Sequence, residues 1–478
     1  MTMTSAAPRT VTSTDLRARF AARLSRLYAS EVPLYGTLVD VSHEVNDRVL
    51  RREGVRAERL GSIARVTAER HGAIRVGTPE ELAQVARVFG ALGMHPCGFY
   101  DLRDAHPQPV PVVSTAFRPL DRDELARNPF RVFTSLLVPE DRRFFAPGLE
   151  SRLKRFLAAR RLFPDELLVL ADRARHHGEL SHDDAQRFLD LAAASFALSS
   201  DPVDRAWYEE LERVSAVAAD IGGVTTTHIN HLTPRVLDID DLYVAMQSRG
   251  VDMIDQVQGP PRWAGTDVLL RQTSFRALSE PRAFREADGT LSQGARRVRF
   301  GEVESRGIAL TSEGRDLYER LMHEVDVRLA NDPDRVRQDV AAEVWAESMP
   351  RTEEDLRRRG LAFATYECSA AVRAGSLTDP QRTALASGEL TCLLDEGVVV
   401  SEPIVYEDFL PRSAAGIFAS NLTGTGDLDA GLGGAARDTD WMSEVIGRAV
   451  SVPEQVYLEE SQASLTALEA ELGTPISS

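Results

Sequence analysis

Three short segments carry side chains that together could hold a divalent metal. Residues 69–75 read ERHGAIR, with His71 four positions before Arg75; residues 225–233 read TTTHINHLT, with His228 and His231; residues 301–307 read GEVESRG, with Glu302 and Glu304. One histidine before apolar residues is ordinarily a satisfied core or surface residue. Two histidines and a carboxylate make a different set, the 2-His-1-carboxylate triad that holds redox iron and leaves coordination positions open. In an extended strand, residues four apart share a face, so Arg75 accompanies His71. A guanidinium there can grip a carboxylate through paired charge-assisted hydrogen bonds.

The elements around these segments must bring them together. Ala73 to Val76 suit a short strand, and Thr78-Pro79-Glu80-Glu81 predicts a helix start, with Thr78 as N-cap, Pro79 at the first position and Glu81 closing a capping box. Leu82, Val85, Phe89 and Leu92 form one apolar stripe, and Gly93 supplies the stop before a second strand toward Cys97–Asp101. The same order follows Gly222-Gly223. TTTHINHLT is β-branched and predicts a strand, Asp238 can cap a helix through Leu242, Val244, Ala245 and Met246, and Gly250 ends it before VDMIDQV. Superposing Gly250 on Gly93 places His228 on His71, each 22 residues before its glycine. His231 then falls on Ile74 and points to the opposite face, which makes His228 the expected second ligand. TDVLLRQTSF, RRVRF and GEVESRGIALT read as three further strands. Glu302 and Glu304 share a face, so alternation alone does not separate them.

The bulk properties set bounds. With 478 residues, 43% hydrophobic and 27% charged, the chain has the composition of a folded protein of two or three modules. The formal net charge of −17 disfavours a nucleic acid or an anionic membrane as partner. Three cysteines without C-x-x-C spacing support neither a disulfide framework nor a thiolate zinc site. No stretch approaches a membrane span, and the first residues lack an apolar leader core, so a cytoplasmic location is expected.

The expected organisation is an N-terminal helical region over 1–61, a first β-α-β-β-β module over 62–120, a helical insertion over 121–220, a second module over 221–311, and a mainly helical region over 312–478. Residues 121–220 are rich in Leu and Ala with charges between, as in ESRLKRFLAARRLF.

Five motifs in order, HGAIR (71–75), HINHLTPR (228–235), LLRQTSF (269–275), FGEVESRGIALT (300–311) and YEDFLPRSAAGIFASNL (406–422), resemble the 2-oxoadipate dioxygenase/decarboxylase (hydroxyglutarate synthase) family, a branch of the vicinal oxygen chelate superfamily. The resemblance runs from about Leu27 to Leu422. It implies an α+β fold in which two β-α-β-β-β modules form a central cupped sheet around a metal, with large helical insertions. It further implies Fe(II) on His71, His228 and Glu302, with dioxygen and a small-molecule 2-oxo acid as reactants. Glu302 is preferred to Glu304 because the ligand of the related hydroxyphenylpyruvate dioxygenases also begins an E-hydrophobic-x-x-R string, here Glu302 to Arg306. The substrate contacts implied are His71, Arg75 and the segment at Arg412-Ser413, where Arg412 replaces a small apolar residue of the family pattern. The implied reaction converts 2-oxoadipate, a product of lysine breakdown, to 2-hydroxyglutarate and CO2. Three alternatives stand beside it: another 2-oxo acid on the same site, a non-redox divalent-metal isomerase or hydrolase, and a metal-free binding protein.

Overall fold

The computed structural model describes residues 10–105, 108–297, 299–410, 416–417, 420–421 and 434–477. They form two compact units, one from Met1–Gly259, Arg271–Ser305 and Asp408–Ser451, the other from Pro260–Leu270, Arg306–Glu407 and Val452–Ser478.

The first unit is built on a five-stranded sheet. β1 (Arg70–Val76), β2 (His95–Asp101), β3 (Val112–Arg118), β4 (Arg131–Leu137) and β5 (His231–Pro234) lie in the order β2-β3-β4-β1-β5. β1 and β4 are parallel and the other neighbours antiparallel. All residues of β3 and β4 are buried, so the sheet is covered on both faces, which its short, β-branched strands suit. The helix Pro79–Ala91 follows β1 and has the predicted capping box: Glu81 N–H donates to Thr78 Oγ1 at 3.2 Å, and Thr78 N–H donates back to Glu81 Oε2 at 3.3 Å. Gly93, at φ 67°, supplies the left-handed stop that side-chain-bearing residues adopt at a cost.

β4 lies inside the stretch expected to be helical from residue 121. RVFTSLL is a β-forming run bracketed by charged helical segments, and the Leu- and Arg-rich surroundings mask it. The inserted helices come after it, from Pro147–Ala158 to Ala216–Gly222. β1 to β4 with their helix thus complete one β-α-β-β-β group.

The later strands do not repeat that group. After β5 and the helix Ile239–Ser248, the expected strand at 251–257 makes one isolated bridge, Met253 to Phe275. β6 (Leu270–Ser274) and β7 (Glu302–Arg306) pair with each other as a separate two-stranded sheet. Between them Glu280–Arg285 and Leu291–Arg296 form an unanticipated hairpin, joined by Val203–Asp204. Among the described residues of the expected strand RRVRF, Arg296 alone lies in it. The bridge Arg235 to Glu304 is a backbone link between the end of β5 and β7. The described residues therefore form an α+β architecture of strand groups with helical insertions that resembles the vicinal oxygen chelate type, and among them the strands do not make one continuous cupped sheet.

Two contacts bring the histidine segment against the sheet. Gly72 has no side chain where a Cβ would meet Ile229 Cδ1 at 2.8 Å, so β5 and its lead-in can lie close on β1. From the helix Ser13–Glu31, whose buried stripe is Leu16, Phe20, Leu24 and Tyr28, the single proton of the Tyr28 hydroxyl is shared between the carbonyls of Asn230 (3.0 Å) and Phe300 (2.8 Å). The N-terminal region thereby ties together the approaches to β5 and β7.

The second unit holds the helices Ser312–Asn331, Arg337–Ser348 and Pro453–Leu472 and the antiparallel pair Ala364–Cys368 and Val399–Pro403. Cys368, Leu393, Val399 and Leu468 belong to a small core of its own. No helix among the described residues is long and apolar enough to cross a membrane.

Candidate metal centre

β1, β5 and β7 converge on a buried group of three donors. His71, His231 and Glu302 each offer a ligand atom, and those atoms all lie within 4.8 Å of one another. His71 Nε2 is 3.3 Å from Glu302 Oε2, and His231 Nε2 is 3.5 Å from Glu302 Oε1. The rings stand perpendicular with centroids 5.3 Å apart. Phe409 meets His71 edge-on at 5.0 Å, and Phe300 stacks on His231 at 5.4 Å, so apolar rings flank both imidazoles. Gln272, on β6, donates to Glu302 Oε2 at 3.3 Å. Burial pushes His231 down to about 4 against the pull of Glu302, which keeps its ring neutral. Burial also works against charging His71, but Glu304 and Glu302 outweigh it and hold that ring above the ordinary histidine value. Two imidazole nitrogens and one carboxylate facing each other in a buried site fit a divalent cation, whose charge would replace the proton that the carboxylates favour on His71.

A second layer supports the first. His71 Nδ1 is 2.7 Å from Glu304 Oε2, and His231 Nδ1 is 3.1 Å from Thr233 Oγ1. Glu304 in turn meets Arg131 of β4, which the strand register places opposite His71.

His228 is not part of the donor group. It precedes β5, in the irregular lead-in, where its Nε2 lies 3.4 Å from Asp220 Oδ1 and 3.1 Å from Asn230 Nδ2. Asp220 is the hub of this second buried cluster: Arg75 Nη1 donates to it at 2.6 Å, Arg296 ion-pairs with its other oxygen, and Asn230 donates at 2.9 Å. Burial disfavours the Asp220 carboxylate, yet His228, Arg75 and Arg296 together hold it well below the usual range. Burial likewise pushes His228 down to about 3, with Asp220 opposing.

That depression has a stability consequence. An unfolded histidine titrates at about 6.5, so below that pH the unfolded chain binds a proton that folded His228 refuses. Stability falls as pH drops from about 6.5 toward 3, by about 1 kcal/mol per pH unit for this group. His228→Gln removes the term, and urea denaturation of the metal-free protein at stepped pH should show a shallower acid slope in the variant; an unchanged slope contradicts the assignment.

The sequence-based site is therefore regrouped. His71 and Glu302 come together as expected. The donor group brings His231, rather than the expected His228, beside His71, because the strand begins at His231 and its register sets His231 opposite Ala73, on the His71 face. Arg75 shares that face, buried and bound to Asp220. Arg412 and Ser413 lie outside the described residues. Glu304, Arg131, Asp220, Gln272 and Phe409 carry no local sequence signal for their supporting roles. One signal could have found His231: Thr78 and Asp238 are the N-caps of corresponding helices, and each stands seven residues after a histidine, His71 and His231.

A sequence model of the 2-oxoadipate dioxygenase/decarboxylase family matches residues 20–421. The 2-oxoadipate dioxygenase/decarboxylase of Mycobacterium tuberculosis is 54% identical over 448 residues, 93% of this chain and 95% of that one. The Pseudomonas putida protein of the same description is 39% identical over 464 residues, 96% of this chain and 97% of that one. The crystal structure of the hydroxyglutarate synthase from Pseudomonas putida in complex with 2-oxoadipate is similar with a TM-score of 0.81 at 37% identity, covering 98% of this chain and 100% of that one.

Proposed function

The chain belongs to the 2-oxoadipate dioxygenase/decarboxylase family, and on that footing we propose that it converts 2-oxoadipate and dioxygen to 2-hydroxyglutarate and CO2 with iron(II) as cofactor. The balance needs no second substrate: one oxygen atom completes the new carboxylate and the other becomes the hydroxyl. The observation that carries this reading is the buried group of His71, His231 and Glu302 with donor atoms within 4.8 Å. These three residues would hold the iron. Iron(II), when bound, supplies a Lewis acid for the oxygens of a 2-oxo acid and electrons for dioxygen.

The chain's own residues do the rest. Glu302 offsets part of the cation's charge, and two neutral imidazoles add none. Phe300 and Phe409 keep water from the rings they pack on. Arg75 offers a guanidinium to a substrate carboxylate, held in place by Asp220. A dicarboxylate has a second anionic end to engage it, which a monocarboxylate lacks. The assignment of Arg412 and Ser413 to substrate contact rests on the resemblance alone. The Pseudomonas putida synthase, similar over nearly the whole chain, is described in complex with 2-oxoadipate, and that supports the choice of substrate.

Oxygen uptake and CO2 release by the iron-loaded protein test the proposal across 2-oxoglutarate, 2-oxoadipate, 2-oxopimelate and 2-oxohexanoate. Uptake and release should be equimolar and greatest with 2-oxoadipate. 2-Oxohexanoate should lose on the order of 100-fold in kcat/KM, as expected when a site built for a charged group is left unpaired. Turnover without oxygen, or none with any 2-oxo acid, contradicts it.

A further inference from the structure

Glu302 and Glu304 lie on one face of β7, yet they meet opposite edges of the same ring. Glu302 Oε2 is 3.3 Å from His71 Nε2, while Glu304 Oε2 is 2.7 Å from His71 Nδ1. A neutral imidazole carries one proton. Glu304 Oε2 makes an ion-pair contact with Nδ1 at 2.7 Å rather than an aligned hydrogen bond, and its negative charge there favours the proton on Nδ1, leaving Nε2, on the Glu302 side of the ring, as the unprotonated nitrogen.

Glu304 is itself held by charge. Its Oε1 accepts from Arg131 Nη1 at 3.1 Å; Arg131 Nη2 donates to Glu69 Oε1 at 2.8 Å; Arg235 Nη1 donates to Glu69 Oε2 at 2.9 Å. All four side chains are buried. Their charges alternate and sum to zero, so the carboxylate stays anionic without leaving an uncompensated charge in the interior. The chain of contacts is tied to the backbone at each end. Arg131 stands opposite His71 in the β1–β4 register, and Arg235 bridges to Glu304.

We propose that Glu304 is a positioning residue of the metal centre: it selects the His71 tautomer that presents Nε2, strengthens that donor through its charge, and is kept in place by its direct partner Arg131. This rests on the assignment of His71, His231 and Glu302 as ligands. Glu304 touches neither substrate nor the reacting atoms in this account. Its effect is on the affinity of the site.

Cobalt(II) titration of the metal-free protein, followed by absorbance, is the test. Glu304→Gln keeps an acceptor for Nδ1–H but loses the charge, and should weaken binding about 10-fold; Glu304→Ala loses both and should weaken it about 100-fold. Glu69→Gln disturbs the same buried network further from the ring, and should lower the melting temperature while leaving affinity within about twofold. Wild-type affinity in both folded Glu304 variants overturns the proposal, as does an equal affinity loss in Glu69→Gln, which would make the network structural only. A second measurement needs no variant. 15N NMR of histidine-labelled, zinc-loaded wild-type protein should show His71 protonated at Nδ1, and protonation at Nε2 overturns the proposal. His71→Ala separates the two levels: if it binds cobalt like wild type, the ligand assignment falls and this inference with it, whereas loss there beside inert Glu304 variants removes only the role of Glu304.

Discussion

His231→Ala should strip the metal from the protein, while His228→Ala should leave it bound. A zinc site of four protein ligands binds with about 10–16 kcal/mol, or about 3 kcal/mol per ligand, so losing one imidazole should cost on the order of 100-fold in metal affinity. Activity at limiting iron should fall at least as far. His228 faces Asp220 and Asn230 instead of the donor group, so its loss should appear as reduced stability with metal affinity unchanged. Iron content after dialysis and cobalt affinity, measured on both variants, decide between the histidines. Metal loss in His228→Ala with retention in His231→Ala would reverse the assignment.

Arg75→Leu should lower kcat/KM for 2-oxoadipate on the order of 100-fold or more. Truncating one partner of a buried, hydrogen-bonded charge pair costs about 2–5 kcal/mol, and each 1.4 kcal/mol is about tenfold in rate. Arg75 lies on β1 on the His71 face, with Nη1 2.6 Å from Asp220. Asp220 retains Arg296 in the variant, so the fold should survive the change. Because the guanidinium is assigned to holding the substrate, KM should rise more than kcat falls, and metal affinity should not change. Arg75→Lys should not restore activity, since an ammonium cannot hold Asp220 and a substrate carboxylate with the same planar fork. Wild-type kinetics in Arg75→Leu would make the arginine a structural partner of Asp220 only.

Local physics makes much of this site legible in the sequence. The Thr78 capping box, the left-handed Gly93 and Gly250, and the shared face of His71 and Arg75 all depend on neighbours close in sequence. The expectation of His228 comes from counting backward from the helix stops. The helix Pro79–Ala91 has 13 residues and Ile239–Ser248 has 10, so stop-to-histidine distances carry that difference of three into the comparison. Counted from the N-caps, where the strand-to-helix connection is the same length, His231 falls on His71. The supporting residues had no local signature. Arg131 reaches Glu304 only because β4 lies parallel to β1, and Asp220 reaches Arg75 only because a helix returns to that sheet from far along the chain. Glu302 and Glu304 could not be told apart by alternation because both do face the site. What separates them is which edge of one ring each one meets, and that is set by tertiary packing.

Anomalous diffraction from crystals of the iron-loaded protein, collected across the iron absorption edge, locates the metal directly. The peak should fall in bonding distance, about 2.1 Å, of His71 Nε2, His231 Nε2 and a Glu302 oxygen. A peak coordinated by His228 or Glu304, or none at this group in protein that turns over 2-oxoadipate, would contradict the account.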